Sequence, residues 1–152
     1  MSAETHSEHP ARAAARRSME IVQRDQRGPA DRAEWLSLFS DDAIIEDPIG
    51  ASPLDPEGKG HRGRQAIGGF WDANIAPVQL RFDIERSYAT GHEVANVGTI
   101  TTRMPDGTTA VAEGVFTYRV DDAGKIVALR AYWEFERMAA SMKRPQPGAK
   151  RS

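Results

Sequence analysis

The chain has 152 residues, of which 20 are Lys or Arg and 22 are Asp or Glu, so its formal net charge at pH 7 is -2. This length accommodates one domain with a sizeable core and is too short for two. The nearly balanced charge excludes the broad positive surface on which nucleic-acid binding usually depends, so small molecules and proteins are the expected partners.

Cysteine is absent from the sequence, which excludes a disulfide framework and thiol chemistry. No apolar run approaches the ~18 residues that a membrane span requires, and the N-terminal segment lacks the apolar core of a secretory signal. We therefore expect a cytoplasmic protein that binds neither membrane nor nucleic acid.

The first part of the chain is predicted to form helices. Residues 1–10 are polar and expected to be disordered, and apolar residues then recur at helical spacing to about Gln26. Gly28 and Pro29 are predicted to end this first helix. Asp31 is predicted to cap the start of a second helix with an apolar stripe.

A strand is predicted after the second helix, in the stretch AIIEDPIG at residues 43–50. Alternation places Ala43, Ile45 and Asp47 on one face and Glu46 on the other. A carboxylate on a buried face costs free energy unless it is hydrogen-bonded, paired or used chemically. Asp47 is therefore either a turn residue just beyond the core or an acid/base group.

The second half of the chain is predicted to form a sheet. A Pro- and Gly-rich loop, residues 51–60, precedes a third helix, and strands separated by turn residues follow from about Pro77. The tail 138–152 is basic and Pro-rich and predicted to be disordered. Helices followed by an antiparallel meander indicate an α+β domain over residues 11–137.

Three segments resemble a known family: FSDDAIIEDPIG, HRGRQAIGGFW and DDAGKIVALRAYWEF. With the order of the elements, they resemble the ketosteroid isomerase branch of the nuclear transport factor 2-like superfamily over roughly residues 15–137. The resemblance implies a curved antiparallel sheet wrapped by three N-terminal helices into a cone with an apolar, steroid-sized pocket. It also implies a homodimer that needs no cofactor.

The resemblance also implies roles for single residues. Asp47 matches the family's general base, which moves a proton between two carbons of a 3-ketosteroid. The family stabilises the enolate oxygen with a tyrosine and a protonated aspartic acid. Here the tyrosine position falls near Ile21 or Gln23, and the acid position holds Phe116, so the usual oxyanion donors are replaced.

Other side chains on the same faces are candidates for the pocket. Tyr118 lies two residues beyond Phe116, hence on the same face, and is the best substitute for a missing donor. Trp133 matches a pocket-lining position and is a second candidate donor through its indole N–H. The predicted substrate-binding residues are Phe70, Phe116, Leu129, Ala131 and Trp133, with Asp47 and Tyr118 as the catalytic pair.

Each candidate also has a plainer interpretation. Asp-Pro commonly begins a turn, and buried aromatic residues are usually only core residues. The segment GKGHRG at residues 58–63 has the glycine spacing of a dinucleotide-binding loop, but it follows a Pro-rich loop rather than a strand. The histidines are scattered, so we predict neither a metal site nor a cofactor.

The leading hypothesis is a steroid Δ5-3-ketosteroid isomerase that works by proton transfer through Asp47. One alternative is a non-catalytic protein that binds a steroid or polycyclic lipid in the same pocket. Another is a different enzyme of the superfamily, such as a polyketide cyclase, an epoxide hydrolase or a dehydratase, because a fold does not fix the chemistry. A third is an interaction module with a vestigial pocket.

Overall fold

Residues 8–145, the part of the chain that the computed structural model describes, form an α+β fold with four α-helices and a six-stranded sheet. The helices are α1 (Pro10–Val22), α2 (Pro29–Leu36), α3 (Arg64–Phe70) and α4 (Phe135–Ala140), with a π-helical turn (Trp71–Ile75) directly after α3. The strands are β1 (Phe39–Glu46), β2 (His61–Arg62), β3 (Gln79–Thr90), β4 (Glu93–Arg103), β5 (Thr109–Val120) and β6 (Ile126–Tyr132). None of the helices in this range is long and apolar enough to cross a membrane.

The sheet has the order β2-β1-β6-β5-β4-β3. Neighbouring strands are antiparallel, as predicted, except that β1 and β6 are parallel. The pairing of β3 with β4 shifts between Ile84 and Arg86, and such a bulge bends a strand and increases its twist. The curved α+β architecture is therefore confirmed, with one parallel pair that the meander pattern did not predict.

The helices cover the concave face of the sheet. Helix α1 buries one side, on which small residues such as Ala11, Ala14 and Ala15 let it approach the sheet closely. Trp35 of α2 packs edge-to-face on Phe39 of β1, with the ring centroids 4.7 Å apart. The core therefore sits between α1–α3 and the sheet, and the space that the side chains leave unfilled forms the cavity described below.

The end of α1 and the start of α2 differ from the prediction. Helix α1 begins at Pro10 behind His9, whose Nδ1 accepts a hydrogen bond from the Ala11 N–H, and it ends at Val22 instead of Gln26. Helix α2 begins at Pro29, so its N-cap residue is Gly28 and not Asp31. The Asp31 carboxylate instead accepts the Gly28 N–H at 2.7 Å from inside the first turn.

The C-terminal segment differs more from the prediction. Residues after Tyr132 leave the sheet and form α4, where the sequence predicted a longer strand and then a disordered tail from residue 138. Beyond α4, the Thr109 N–H donates to the Lys143 carbonyl at 2.9 Å, so this segment continues the sheet where β6 has ended. The predictions for residues 1–7 and 146–152 lie outside the described residues.

Candidate functional site

A cavity of about 240 Å³ lies between the concave face of the sheet and the helices. Its walls are mostly apolar and come from α1, α2, α3, α4 and the strands β3–β6. An enclosed apolar space with a few polar groups is the usual form of a small-molecule site. The polar side chains that line it are Ser18, Asp47, Asn74, Thr102, Tyr118 and Trp133.

Asp47 faces this cavity because it follows β1 on the same face as Ala43 and Ile45, which are fully buried. The Trp133 indole Nε1–H donates to Asp47 Oδ1 at 2.6 Å. Burial raises the pKa of Asp47, while the hydrogen bond from Trp133 and the charge of His61 partly oppose that rise. A carboxylate in such a setting is a stronger base than one in water, so it suits the removal of a proton from carbon.

The neighbouring carboxylate, Glu46, is held on the opposite face of β1. The Arg130 guanidinium Nε–H donates to Glu46 Oε1 at 2.7 Å, and the Glu46 side chain is 16% exposed. This ion pair keeps the charge of Glu46 satisfied away from the cavity. The two adjacent acids therefore have different environments, and Asp47 alone of this pair faces the apolar space.

Tyr118 is buried and lines the cavity from β5. Burial, and to a lesser degree the negative charge of Asp47, raise the pKa of Tyr118, and the Ser18 hydroxyl opposes this. The phenol is therefore neutral over the physiological range and can donate its O–H. This is the property that a donor to an enolate oxygen requires.

Ser18 is a cavity residue that the sequence analysis missed. Its hydroxyl is buried, lines the cavity, and accepts the Trp35 Nε1–H at 2.9 Å. The two first-helix positions considered instead do not line the cavity: Ile21 lies in the core, and the Gln23 side-chain oxygen accepts the Phe82 N–H. The sequence pattern that could have identified Ser18 is its spacing from Ala11 and Ala14, because the three residues share the buried face of α1.

The structure shows which of the five predicted substrate-binding residues line the cavity. Phe70, Phe116, Leu129 and Trp133 line the cavity. Ala131 does not, because its short side chain is completely covered in the core. Residues from the loop 51–60 and from α4 were not predicted but also line the cavity, namely Leu54 and Met138.

The glycine-rich segment 58–63 has a local explanation. Gly58, Gly60 and Gly63 have positive φ angles of 69°, 79° and 91°, which glycine adopts at no steric cost. The Asp55 carboxylate accepts the Gly60 N–H at 2.8 Å and closes the loop. Within residues 8–145, no group of three or more His, Asp or Glu side chains is placed to hold a metal ion.

Comparisons with known proteins agree with this geometry. The family model described as a SnoaL-like domain matches residues 15–129. The Δ5-3-ketosteroid isomerase from Mycobacterium sp. is 39% identical, with 91% of this chain and 100% of that chain covered and a TM-score of 0.78.

Two further solved structures are similar over nearly the same length. A computationally designed 17-OHP binder is 34% identical, with 91% of this chain and 100% of that chain covered and a TM-score of 0.78. RV0760c from Mycobacterium tuberculosis, in complex with estradiol-17beta-hemisuccinate, is 36% identical, with 90% and 99% covered and a TM-score of 0.77.

Proposed function

The chain belongs to the SnoaL-like domain family of nuclear transport factor 2-like folds, and we propose that it is a Δ5-3-ketosteroid isomerase. The observation that carries the proposal is the carboxylate of Asp47, which faces an apolar cavity and is held there by the Trp133 N–H. The similarity to the isomerase from Mycobacterium sp. supports the same reaction.

In the proposed reaction, Asp47 takes a proton from the carbon between the carbonyl group and the carbon–carbon double bond. The electron pair of that C–H bond moves into the conjugated system, which leaves a dienolate with its negative charge on the carbonyl oxygen. The protonated Asp47 then returns the proton two carbons along, so that the double bond becomes conjugated with the carbonyl. No net proton, electron or cofactor is consumed.

Tyr118 is proposed to stabilise the dienolate by donating its O–H to the oxygen. Support comes from its neutral phenol and its place in the cavity wall, with the charge of Asp47 near enough to raise its pKa. Trp133, the second candidate donor, has its N–H directed to Asp47. We therefore assign Trp133 to positioning the base.

A steroid-binding protein without turnover is the second candidate. Phe116, an apolar ring in the cavity wall, stands at the position that the sequence resemblance assigns to the second oxyanion donor of the family's isomerases. Two of the similar structures are a designed 17-OHP binder and a complex with estradiol-17beta-hemisuccinate, which supports steroid binding independently of catalysis. A similar epoxide hydrolase-like structure is 20% identical and supports the fold alone.

One experiment separates these candidates. The native chain is mixed with androst-5-ene-3,17-dione, and the ultraviolet absorbance of the conjugated enone is followed while tryptophan fluorescence reports binding at Trp35 and Trp133. Conversion above the uncatalysed rate supports the isomerase. Binding without conversion supports the steroid-binding protein. If the chain neither binds nor converts the steroid, the interaction module becomes the favoured hypothesis.

We also propose a homodimer located in the cytoplasm. The outer face of the sheet exposes aromatic side chains, with Tyr88 60% and Tyr132 53% exposed, and exposed aromatic residues are typical of association surfaces. Light scattering at several protein concentrations measures the mass: a value of one chain throughout would contradict the dimer.

A further inference from the structure

We propose that Ser18 is a positioning residue for the isomerisation: its hydroxyl links the Trp35 indole to the Tyr118 phenol and thereby aims the Tyr118 O–H at the carbonyl oxygen of the steroid. The inference rests on the proposed function, because it takes Tyr118 to be the donor to that oxygen. It adds a residue of α1 to the site, and this residue acts through Tyr118 rather than on the substrate itself.

The residues beside Tyr118 in the sheet are all apolar. Tyr118 is buried and lines the cavity from β5. Its neighbours on the same face are Phe116 and Val120 along β5 and, on the adjacent strands, Val94 and Leu129. A buried phenolic O–H usually has a polar partner, because without one it loses the hydrogen bonds it makes to water. The partner must therefore come from a helix, from the Asp47 carboxylate or from a ligand.

Helix α1 brings Ser18 to this phenol. The buried face of α1 carries the small residues Ala11, Ala14, Ala15 and Ser18, which let the helix pack closely on β5. Ser18 is buried and lines the same cavity as Tyr118. Its hydroxyl lowers the pKa of Tyr118 by hydrogen bonding, against the effect of burial, whereas Asp47 acts on that pKa through its charge. Ser18 is thus the polar partner that the protein supplies.

The Trp35 indole fixes the direction of the Ser18 hydroxyl. Trp35 Nε1–H donates to Ser18 Oγ at 2.9 Å, and an indole N–H can only donate. The single proton of the serine hydroxyl therefore remains available for another acceptor. Trp35 is itself buried and packs on Phe39 and Trp71, with ring centroids 4.7 Å and 5.2 Å away. The chain of hydrogen bonds thus begins at a fixed donor.

A carbonyl oxygen in the cavity sets the direction of the whole chain. Tyr118 has one proton, so when it donates this proton to the ligand its own oxygen can only accept. Ser18 is placed to be the donor, which gives the order Trp35, Ser18, Tyr118 and ligand. Each bond of such a chain polarises the next, so Tyr118 stabilises the developing charge of the dienolate oxygen more strongly. None of the three residues loses its proton.

The test is a double-mutant cycle of Ser18→Ala and Tyr118→Phe, with kcat measured for androst-5-ene-3,17-dione. In the native background Ser18→Ala should lower kcat about fivefold or more, a coupling typical of one hydrogen-bond network, and change KM less than about twofold. In the Tyr118→Phe background it should change kcat less than about twofold. Ser40→Ala is the control, because Ser40 lies in β1 but not in the cavity wall; it should change neither parameter.

Equal slowing of both backgrounds by Ser18→Ala would overturn the inference, because a serine that only supports the fold acts independently of Tyr118. An unchanged kcat for Ser18→Ala, or a native rate for Tyr118→Phe, would also overturn it and would leave Asp47 as the base. If circular dichroism shows that Ser18→Ala is misfolded, Trp35→Phe takes its place in the cycle, because it removes the first donor of the chain. Equal slowing of both backgrounds would again overturn the inference.

Failure of the proposed function would look different, because the native chain would then not convert the steroid. Equilibrium dialysis compares androst-4-ene-3,17-dione, whose 3-oxo group accepts a hydrogen bond, with androst-4-en-17-one, which lacks that oxygen. Ser18→Ala should weaken binding of the dione at least about threefold more than binding of the monoketone, and Tyr118→Phe should abolish this difference. Equal weakening of the two ligands, no weakening of either, or no binding of the dione overturns the inference.

Discussion

The indole Nε1–H of Trp133 donates to Oδ1 of Asp47 across 2.6 Å. This bond links the residue after β1 to a residue just beyond β6, the two strands that pair in parallel. Because the carboxylate is otherwise in apolar surroundings, the indole both fixes its direction and stabilises its charge. Asp47 and Trp133 are thus one unit, and the predictions below test its parts.

Trp133→Phe keeps an aromatic ring and removes the N–H donor. The hydrogen bond lowers the pKa of Asp47 against the effect of burial, so its loss should raise that pKa further. The base then stays protonated to a higher pH, and the acidic limb of the kcat/KM profile should move upward. An unmoved limb in the pH–rate profile would mean that the indole does not act on the charge of Asp47.

Tyr118→Phe removes the proposed donor to the dienolate and keeps the buried ring. Loss of one oxyanion donor typically costs about 100-fold in kcat or more, and KM should change little because the donor acts mainly in the transition state. Tyr132→Phe, on the exposed outer face, is the matched control. Steady-state rates of both variants equal to the native rate would require a different donor.

Asp47→Asn should stabilise the fold at neutral pH by on the order of 1 kcal/mol, because burial of a charged base opposes folding. Burial raises the pKa of Asp47 in the native state. Between the ordinary Asp pKa and the raised one the native state binds more protons than the unfolded state, so native stability falls as pH rises.

The stability gain from Asp47→Asn should therefore be absent below the ordinary pKa of Asp, grow between that pKa and the raised pKa of Asp47, and be constant at higher pH. Urea denaturation at a series of pH values measures the difference. Glu46→Gln is the control: it breaks the ion pair with Arg130 and should cost up to about 1 kcal/mol. A stability gain for Asp47→Asn that is independent of pH would contradict a raised pKa.

Gly114→Ala should disturb the site through a clash with the end of β6. A Cβ at Gly114 would lie 2.1 Å from the Tyr132 carbonyl oxygen and 3.1 Å from Trp133 Cβ, so β6 must move and carry Trp133 with it. We expect a loss of about 2 kcal/mol or more in the free energy of unfolding and lower activity. Gly69→Ala, in an open position of α3, should be neutral or stabilising. Similar thermal midpoints for the two variants would contradict the close contact.

The regular strands could be predicted from the sequence because their periodicity is local. Alternation placed Asp47 beside Ile45, and the same rule placed Tyr118 beside Phe116; both pairs lie on the concave face. Helix α4 could not be predicted in this way. It has six residues, and it depends on the bonds that Ser141 and Lys143 make to β5, which no local pattern reveals.

The candidate site was predictable in part for the same reason. The cavity faces of β1, β5 and β6 follow from alternation, but the hydrogen bond from Trp133 to Asp47 depends on how β6 ends and on where the chain turns. Ser18 was missed because counting along the family pattern pointed to Ile21 and Gln23. The apolar face of α1, taken by itself, includes Ser18.

The most direct test of Asp47 as the base is kcat for the isomerisation of androst-5-ene-3,17-dione by the native chain, Asp47→Asn and Glu46→Gln. The two variants each neutralise one of two adjacent carboxylates, of which Asp47 faces the cavity and Glu46 pairs with Arg130. We predict that Asp47→Asn loses at least about 100-fold in kcat, whereas Glu46→Gln stays close to the native rate. Equal rates for native protein and Asp47→Asn would show that Asp47 is not the base.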